Sequence, residues 1–199
     1  MDDRFRLRTL LVERSVRLGD FTLASGARSN YYVDARRTTM SAEGQFLVGK
    51  VAWAMLGQHV PGITHVGGLT MGADPVAYAI AHRSWLEGRP VDAFSVRKQA
   101  KEHGMGQRIE GGLPDYARCL VVEDSMTTGG SALQAIEAVR AHGATVAAVL
   151  TVVDREEGAR TVLVAEKIPV IALFSGRELL EAARESDQSS SLSGITRHK

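Results

Sequence analysis

The chain has 199 residues, 44% of them hydrophobic and 24% charged, a mix that excludes a wholly disordered protein and suits one domain. Its 24 Lys and Arg against 23 Asp and Glu leave a net charge of +1, so no global field favours nucleic acid or an anionic membrane. The single cysteine, Cys119, excludes an internal disulfide and a multi-cysteine zinc site, and fits a reducing cytoplasm.

In residues 2–18, Phe5, Leu7, Leu10, Leu11, Val12, Val16 and Leu18 recur among charges at helical spacing. The same charges leave no apolar core for a signal peptide. Two short extended pieces follow, Phe21 to Leu23 and Tyr31 to Val33, separated by the turn-forming run Ser25 to Asn30. Ser41 is a good N-cap for a helix whose apolar face is Leu47, Val48, Val51, Met55 and Leu56. The chain then alternates. A strand is expected at His65 to Gly67, a helix at Ala73 to Leu86, and a strand at Val91 to Val96. After the polar segment Arg97 to Pro114 come a strand at Arg118 to Val122 and a helix at Ser131 to His142. A strand at Thr145 to Val153, a helix at Ala159 to Glu166, a strand at Val170 to Phe174 and a helix at Arg177 to Glu185 complete the pattern.

The later strands are continuous apolar runs, the mark of strands buried on both faces in a parallel sheet covered by helices. The expected class is therefore α/β, one domain over residues 1–185 with a small hood from about 1–40. The serine-rich residues 186–199 have little to bury and are expected to be disordered. The most apolar stretch, Ala144 to Val153, is about half the roughly 20 residues a membrane helix needs. Trp53 and Trp85 sit on expected helices and are read as core. The scattered histidines have no metal-ligand spacing, and Cys119 is read as packing.

Chemistry concentrates in one segment. The strand Cys119 to Val122 runs into Glu123-Asp124, then Ser125-Met126-Thr127-Thr128-Gly129-Gly130-Ser131, which opens a helix. Ligands of open α/β sheets gather at the carboxyl ends of strands. The free N–H groups of a helix start bind anions, and glycines let that backbone approach a phosphate closely. Carboxylates suit the hydroxyls of a neutral sugar. Phosphate donors beside hydroxyl acceptors describe a sugar phosphate. No lysine follows the glycines, so this is not a nucleoside-triphosphate P-loop.

This segment resembles the phosphoribosyl-pyrophosphate (PRPP) motif of the type I phosphoribosyltransferases. Three further matches are similar to the orotate phosphoribosyltransferases. They are Phe21 to Gly26 with Ser29 to Asp34, then Arg97-Lys98-Gln99-Ala100-Lys101-Glu102-His103-Gly104, and Asp154-Arg155 at a strand end. The resemblance implies transfer of ribose 5-phosphate from PRPP to orotate, with Mg2+ as cofactor held mainly by PRPP and water rather than by direct protein ligands. It implies Lys101, His103 and Asp124 as catalytic residues. The PRPP contacts would be Arg97, Lys98, Lys101, His103 and the run from Glu123 to Ser131, that is Glu123, Asp124, Ser125, Met126, Thr127, Thr128, Gly129, Gly130 and Ser131. Thr127, Arg155 and Tyr32 would hold orotate. It also implies a homodimer in which the mobile loop, about 97–113, completes the partner's site.

Two positions depart from the family. Ala24 stands where many members have lysine, and Met71-Gly72 where some have Tyr-Lys. By the resemblance both missing lysines would touch PRPP or the product pyrophosphate, while the loop cations remain. Apart from any family, that loop gathers Arg97, Lys98, Lys101, His103 and Arg108, which suits a departing pyrophosphate or simply a solvated basic loop. A phosphoribosyltransferase for another base and a PRPP-sensing regulator remain alternatives; no helix-turn-helix accompanies the domain.

Overall fold

The computed structural model describes residues 2–22, 28–99 and 108–195. A first helix, α1 (Asp3–Ser15), is capped by the Asp2 side chain, which accepts from the Arg4 N–H. It buries Leu7, Leu10 and Leu11. Each such leucine contributes roughly 1.5–3 kcal/mol, so these three outweigh the exposed ion pairs of α1, worth about 1 kcal/mol or less apiece. They dock α1 in the main core, although the sequence placed it in the hood. The helix is shorter than its apolar spacing predicts. Val16 starts a strand, β1 (Val16–Thr22), because it pairs with Val33 of β2 (Arg28–Val33) in an antiparallel hairpin.

A short helix, α2 (Arg36–Thr39), leads into α3 (Ala42–His59), where the Ser41 hydroxyl accepts from the Gly44 N–H as the expected N-cap. Then follow β3 (His65–Leu69), α4 (Ala73–Leu86), β4 (Asp92–Val96), a two-residue β5 (Ile109–Glu110) and β6 (Arg118–Met126). Next come α5 (Gly130–Ala141), β7 (Thr145–Asp154), α6 (Ala159–Ala165), β8 (Val170–Ser175) and α7 (Gly176–Ile195). The six-stranded sheet has the order β5-β4-β3-β6-β7-β8 and is parallel except for β5. This is the expected α/β architecture, a mainly parallel sheet flanked by helices. One face carries α1, α3, α4 and α7 on Leu120, Val122, Leu150 and Val152. The other carries α5 and α6 on Val121, Val149 and Phe94. Among the described residues, no helix is long and apolar enough to cross a membrane.

Three further expectations change. β6 runs four residues past Val122, because Ser125 and Met126 still pair with Val153 and Asp154 of β7. The last helix continues to Ile195, so residues 186–195 are helical rather than disordered. Extending a helix whose first turns are already docked needs no new nucleus, so a serine-rich stretch can follow it. Trp85 is not core: it is 72% exposed. The buried face of α4 is Val76, Ala77, Ile80 and Ser84, and Trp85 lies roughly 140° round the helix from Ile80 at about 100° per residue. Trp53 is partly buried, with the Arg89 guanidinium over its ring at 5.3 Å.

Candidate active site

The parallel strands end on one edge of the sheet. The chain leaves β3 for β4 on one side and places β6 on the other, so the switch point lies between β3 and β6. A cleft of about 1360 Å3 opens there, as expected of such a sheet. Its walls come from the ends of β3, β4, β6 and β7 and from the residues after β2.

β6 supplies the acids. Glu123 is 7% exposed, and burial, followed by the neighbouring Asp124, pushes its carboxyl up to about 8. Asp124 is also raised by burial, while the Ser125 backbone N–H and the Arg36 charge pull it back. Glu123 is thus a neutral acid near pH 7, able to donate to and accept from a hydroxyl. Its ordinary value of 4.5 and folded value of about 8 set a window. Across it the folded state holds the proton more tightly, so Glu123's contribution to stability falls as pH rises from 4.5 through 8. Glu123→Gln does not titrate. The ligand-free variant should therefore gain melting temperature over the wild type as pH is raised from about 5 to 8.5. A gap that stays constant with pH in thermal melts would show that Glu123 does not carry this proton.

The segment after β6 is the anion side. Gly129 adopts φ +85°, a left-handed conformation that glycine accepts without strain, and it turns the chain into α5. No side chain caps α5, which leaves its first N–H groups without a side-chain acceptor. Thr127, Thr128 and Ser131 line the cleft beside them. Ser125 lines it too, but Met126 is 1% exposed and packs in the core beneath α5. Met126, Gly129 and Gly130 can offer only backbone here. The end of β7 is zipped to this loop: Arg155 N–H donates to the Met126 carbonyl at 2.9 Å, and Ala159 N–H to that of Thr127 at 3.2 Å.

Arg155 is therefore fixed at the cleft wall. Its Nε donates to the Tyr31 hydroxyl at 3.3 Å, and its guanidinium lies 4.5 Å from the centre of the Tyr31 ring. Asp154 does not pair with Arg155. It accepts from Glu156 N–H at 2.9 Å and from Arg160 Nε at 2.5 Å, holding the turn that presents Arg155. Tyr32, expected to hold orotate, lines the cleft, whereas the tyrosine touching Arg155 is its neighbour. Strand alternation sends the two rings to opposite faces of the hairpin.

Arg97 and Lys98 line the cleft at the base of the expected loop, and Arg97 Nε donates to Glu110 at 2.8 Å. Lys101 and His103 lie outside the described residues, as do Ala24, Ser25 and Gly26. Asp34 and Arg36 form an ion pair in the site. They are bonded at 3.2 Å and line the cleft near Asp124. Leu69, Thr70, Met71 and Gly72 form the wall opposite β6. Thr70 is anchored by donating to Asp74 at 2.6 Å, and Asp74 also accepts from Ser95 at 2.7 Å. The Gly72 backbone lies so close to the Asp124 side chain that a Cβ would stand 2.5 Å from its Oδ1. Cys119 is buried, its thiol pushed up to about 12 by desolvation, and serves packing as expected.

A mainly parallel sheet with paired acids on β6, an uncapped helix start after them and a hairpin hood over the strand ends defines a phosphoribosyltransferase of the type I fold. No protein-family model matches the chain. It is 45% identical over 183 residues to the orotate phosphoribosyltransferase of Aquifex aeolicus, covering 90% of this chain and 99% of that one. It is similar to the Mycobacterium tuberculosis orotate phosphoribosyltransferase in complex with Fe(III) dicitrate, at a TM-score of 0.79 and 45% identity over 89% of this chain and 99% of that one. The structure of that mycobacterial enzyme with PRPP gives a TM-score of 0.75 and 40% identity over the same shares. The chain belongs to the orotate phosphoribosyltransferase family.

Proposed function

We propose that this protein transfers the ribose 5-phosphate of PRPP to orotate, giving orotidine 5′-monophosphate and pyrophosphate in the synthesis of UMP. The observation that carries the reading is a single cleft joining three features. These are the acids of β6, the free N-terminus of α5, and a buried arginine at the end of β7. They match a ribose, its 5′-phosphate and a carboxylated base.

Displacement at the anomeric carbon builds positive charge on the ribose ring as pyrophosphate departs. Asp124 borders the place where that charge develops, and a preorganised anion there lowers the barrier, while Glu123 meets the ribose hydroxyls. Ser125, Thr127, Thr128, Ser131 and the first N–H groups of α5 hold the 5′-phosphate. Arg155 meets the orotate carboxylate with its planar fork, and Thr127 and Tyr32 flank the base. Holding both partners in one cleft supplies the orientation that a direct displacement needs. Mg2+, when bound with PRPP, neutralises the charge of the leaving pyrophosphate. The hard oxygen donors Glu123 and Asp124 at the cleft wall suit an ion that keeps much of its water shell.

The protein acts as a homodimer in the cytoplasm, in this reading. The loop about residues 97–113 brings Lys101 and His103 over the pyrophosphate of the partner's site. Exposed Phe46 on α3 and exposed Tyr78, Trp85 and Leu86 on α4 support a surface that a second copy covers.

The test is the ultraviolet absorbance of orotate on mixing folded protein, PRPP and Mg2+. Loss of the orotate band that depends on all three components is the expected result. An unchanged band with turnover of another base would move the protein to a different substrate class. No turnover of any base, with PRPP still bound, would leave a sensor in place of an enzyme.

A further inference from the structure

Arg155 has a carboxylate partner within the protein itself. Its terminal nitrogen lies 3.1 Å from Glu157 Oε1, and both residues line the cleft. The two partners are unequally held. The Arg155 side chain is 4% exposed, stacked on the Tyr31 ring, and its backbone is tied to Met126. The Glu157 side chain is 31% exposed and follows a turn in which Glu156 adopts φ +59°. The arginine cannot leave; the glutamate can turn into water.

We infer that Glu157 is a resident counter-ion for Arg155 that the carboxylate of the incoming base must displace. On this inference Glu157 sets the affinity and selectivity for the base. The inference rests on the placement of orotate at Arg155 proposed above. Its physical basis is the cost of leaving a buried guanidinium without an anion. Glu157 meets that need in the empty enzyme, and a planar carboxylate in the base pocket takes it over with better fork geometry. A neutral pyrimidine offers Arg155 nothing in exchange and leaves the ion pair closed. The free enzyme is thereby stabilised and orotate binding weakened, which favours release of the carboxylated product. Glu157 acts through Arg155 and is a positioning residue.

Glu157→Gln keeps an acceptor beside Arg155 but removes its charge, so orotate no longer competes with an anion. The KM for orotate at saturating PRPP should fall roughly threefold to tenfold, the range expected when a charge-assisted bond becomes a neutral one at a partly exposed site. The KM for PRPP should stay within about twofold, since the change lies on the base side. Arg155→Lys, which lacks the fork, should raise the orotate KM, and adding Glu157→Gln to it should produce no further fall. If Glu157→Gln leaves the orotate KM unchanged or raises it, while Arg155→Lys still weakens orotate, Glu157 is a support for Arg155 and the inference is overturned with the base placement intact. If Arg155→Lys leaves the orotate KM unchanged, the base placement itself fails, and the inference with it.

Discussion

Asp124→Asn should lower kcat by on the order of a hundredfold or more, with the fold intact. The substitution keeps shape and removes the negative charge proposed to stand beside the reacting carbon. Burial already disfavours the charged form of Asp124, so its neutral replacement carries no desolvation cost. The melting temperature should therefore equal or exceed that of the wild type, which separates a chemical loss from unfolding. The KM for PRPP should change less than kcat, because charge on the ribose is greatest in the transition state. Turnover is read from the orotate absorbance and the fold from circular dichroism. Wild-type turnover in a well-folded Asp124→Asn protein would remove Asp124 from the catalytic role.

The second large effect concerns the proposed dimer. Lys101→Ala and Arg155→Ala should each be nearly inactive, the first without a cation on the pyrophosphate and the second without the base anchor. Mixed under conditions of subunit exchange, they should recover activity. In a mixed dimer the Lys101→Ala subunit keeps its own Arg155 and receives Lys101 from its partner, so one of the two sites is intact. About half of freely exchanged dimers are mixed and half of their sites work, giving roughly a quarter of wild-type activity from the isologous geometry of a two-fold dimer. Differently tagged chains verify that mixed dimers form. Verified mixed dimers as inactive as either parent would place Lys101 in its own subunit's site and end the shared-site proposal.

Much of the site could be read in the chain because its parts are contiguous. The apolar strand, the acid pair, the hydroxyl- and glycine-rich turn and the helix start follow one another within residues 119–131, and parallel-sheet topology fixes where such a segment points. The helix Ala73–Leu86 was equally clear, since its apolar spacing and its flanking strands agree. What stayed hidden depends on pairing across the fold. Val16 and Leu18 fit a helical stripe as well as a strand, and only the hairpin with Tyr31 to Val33 decides between them. Which of Tyr31 and Tyr32 faces Arg155 depends on a one-residue register that the sequence leaves open. Arg36 and Glu157 carry no motif; they join the site because the residues after β2 and the turn after β7 converge on the same edge. The serine-rich composition of residues 186–195 concealed a helix that grows from a docked start.

The close approach of Gly72 to Asp124 makes those two positions a single steric unit. A Cβ at 72 would press on the outer end of a side chain, with the Asp124 backbone left clear, so a larger residue is accommodated by turning the carboxylate. Gly72 therefore governs where Asp124 aims: a side chain added at 72 would swing the acid away from its present direction in the cleft without disturbing the strand that carries it.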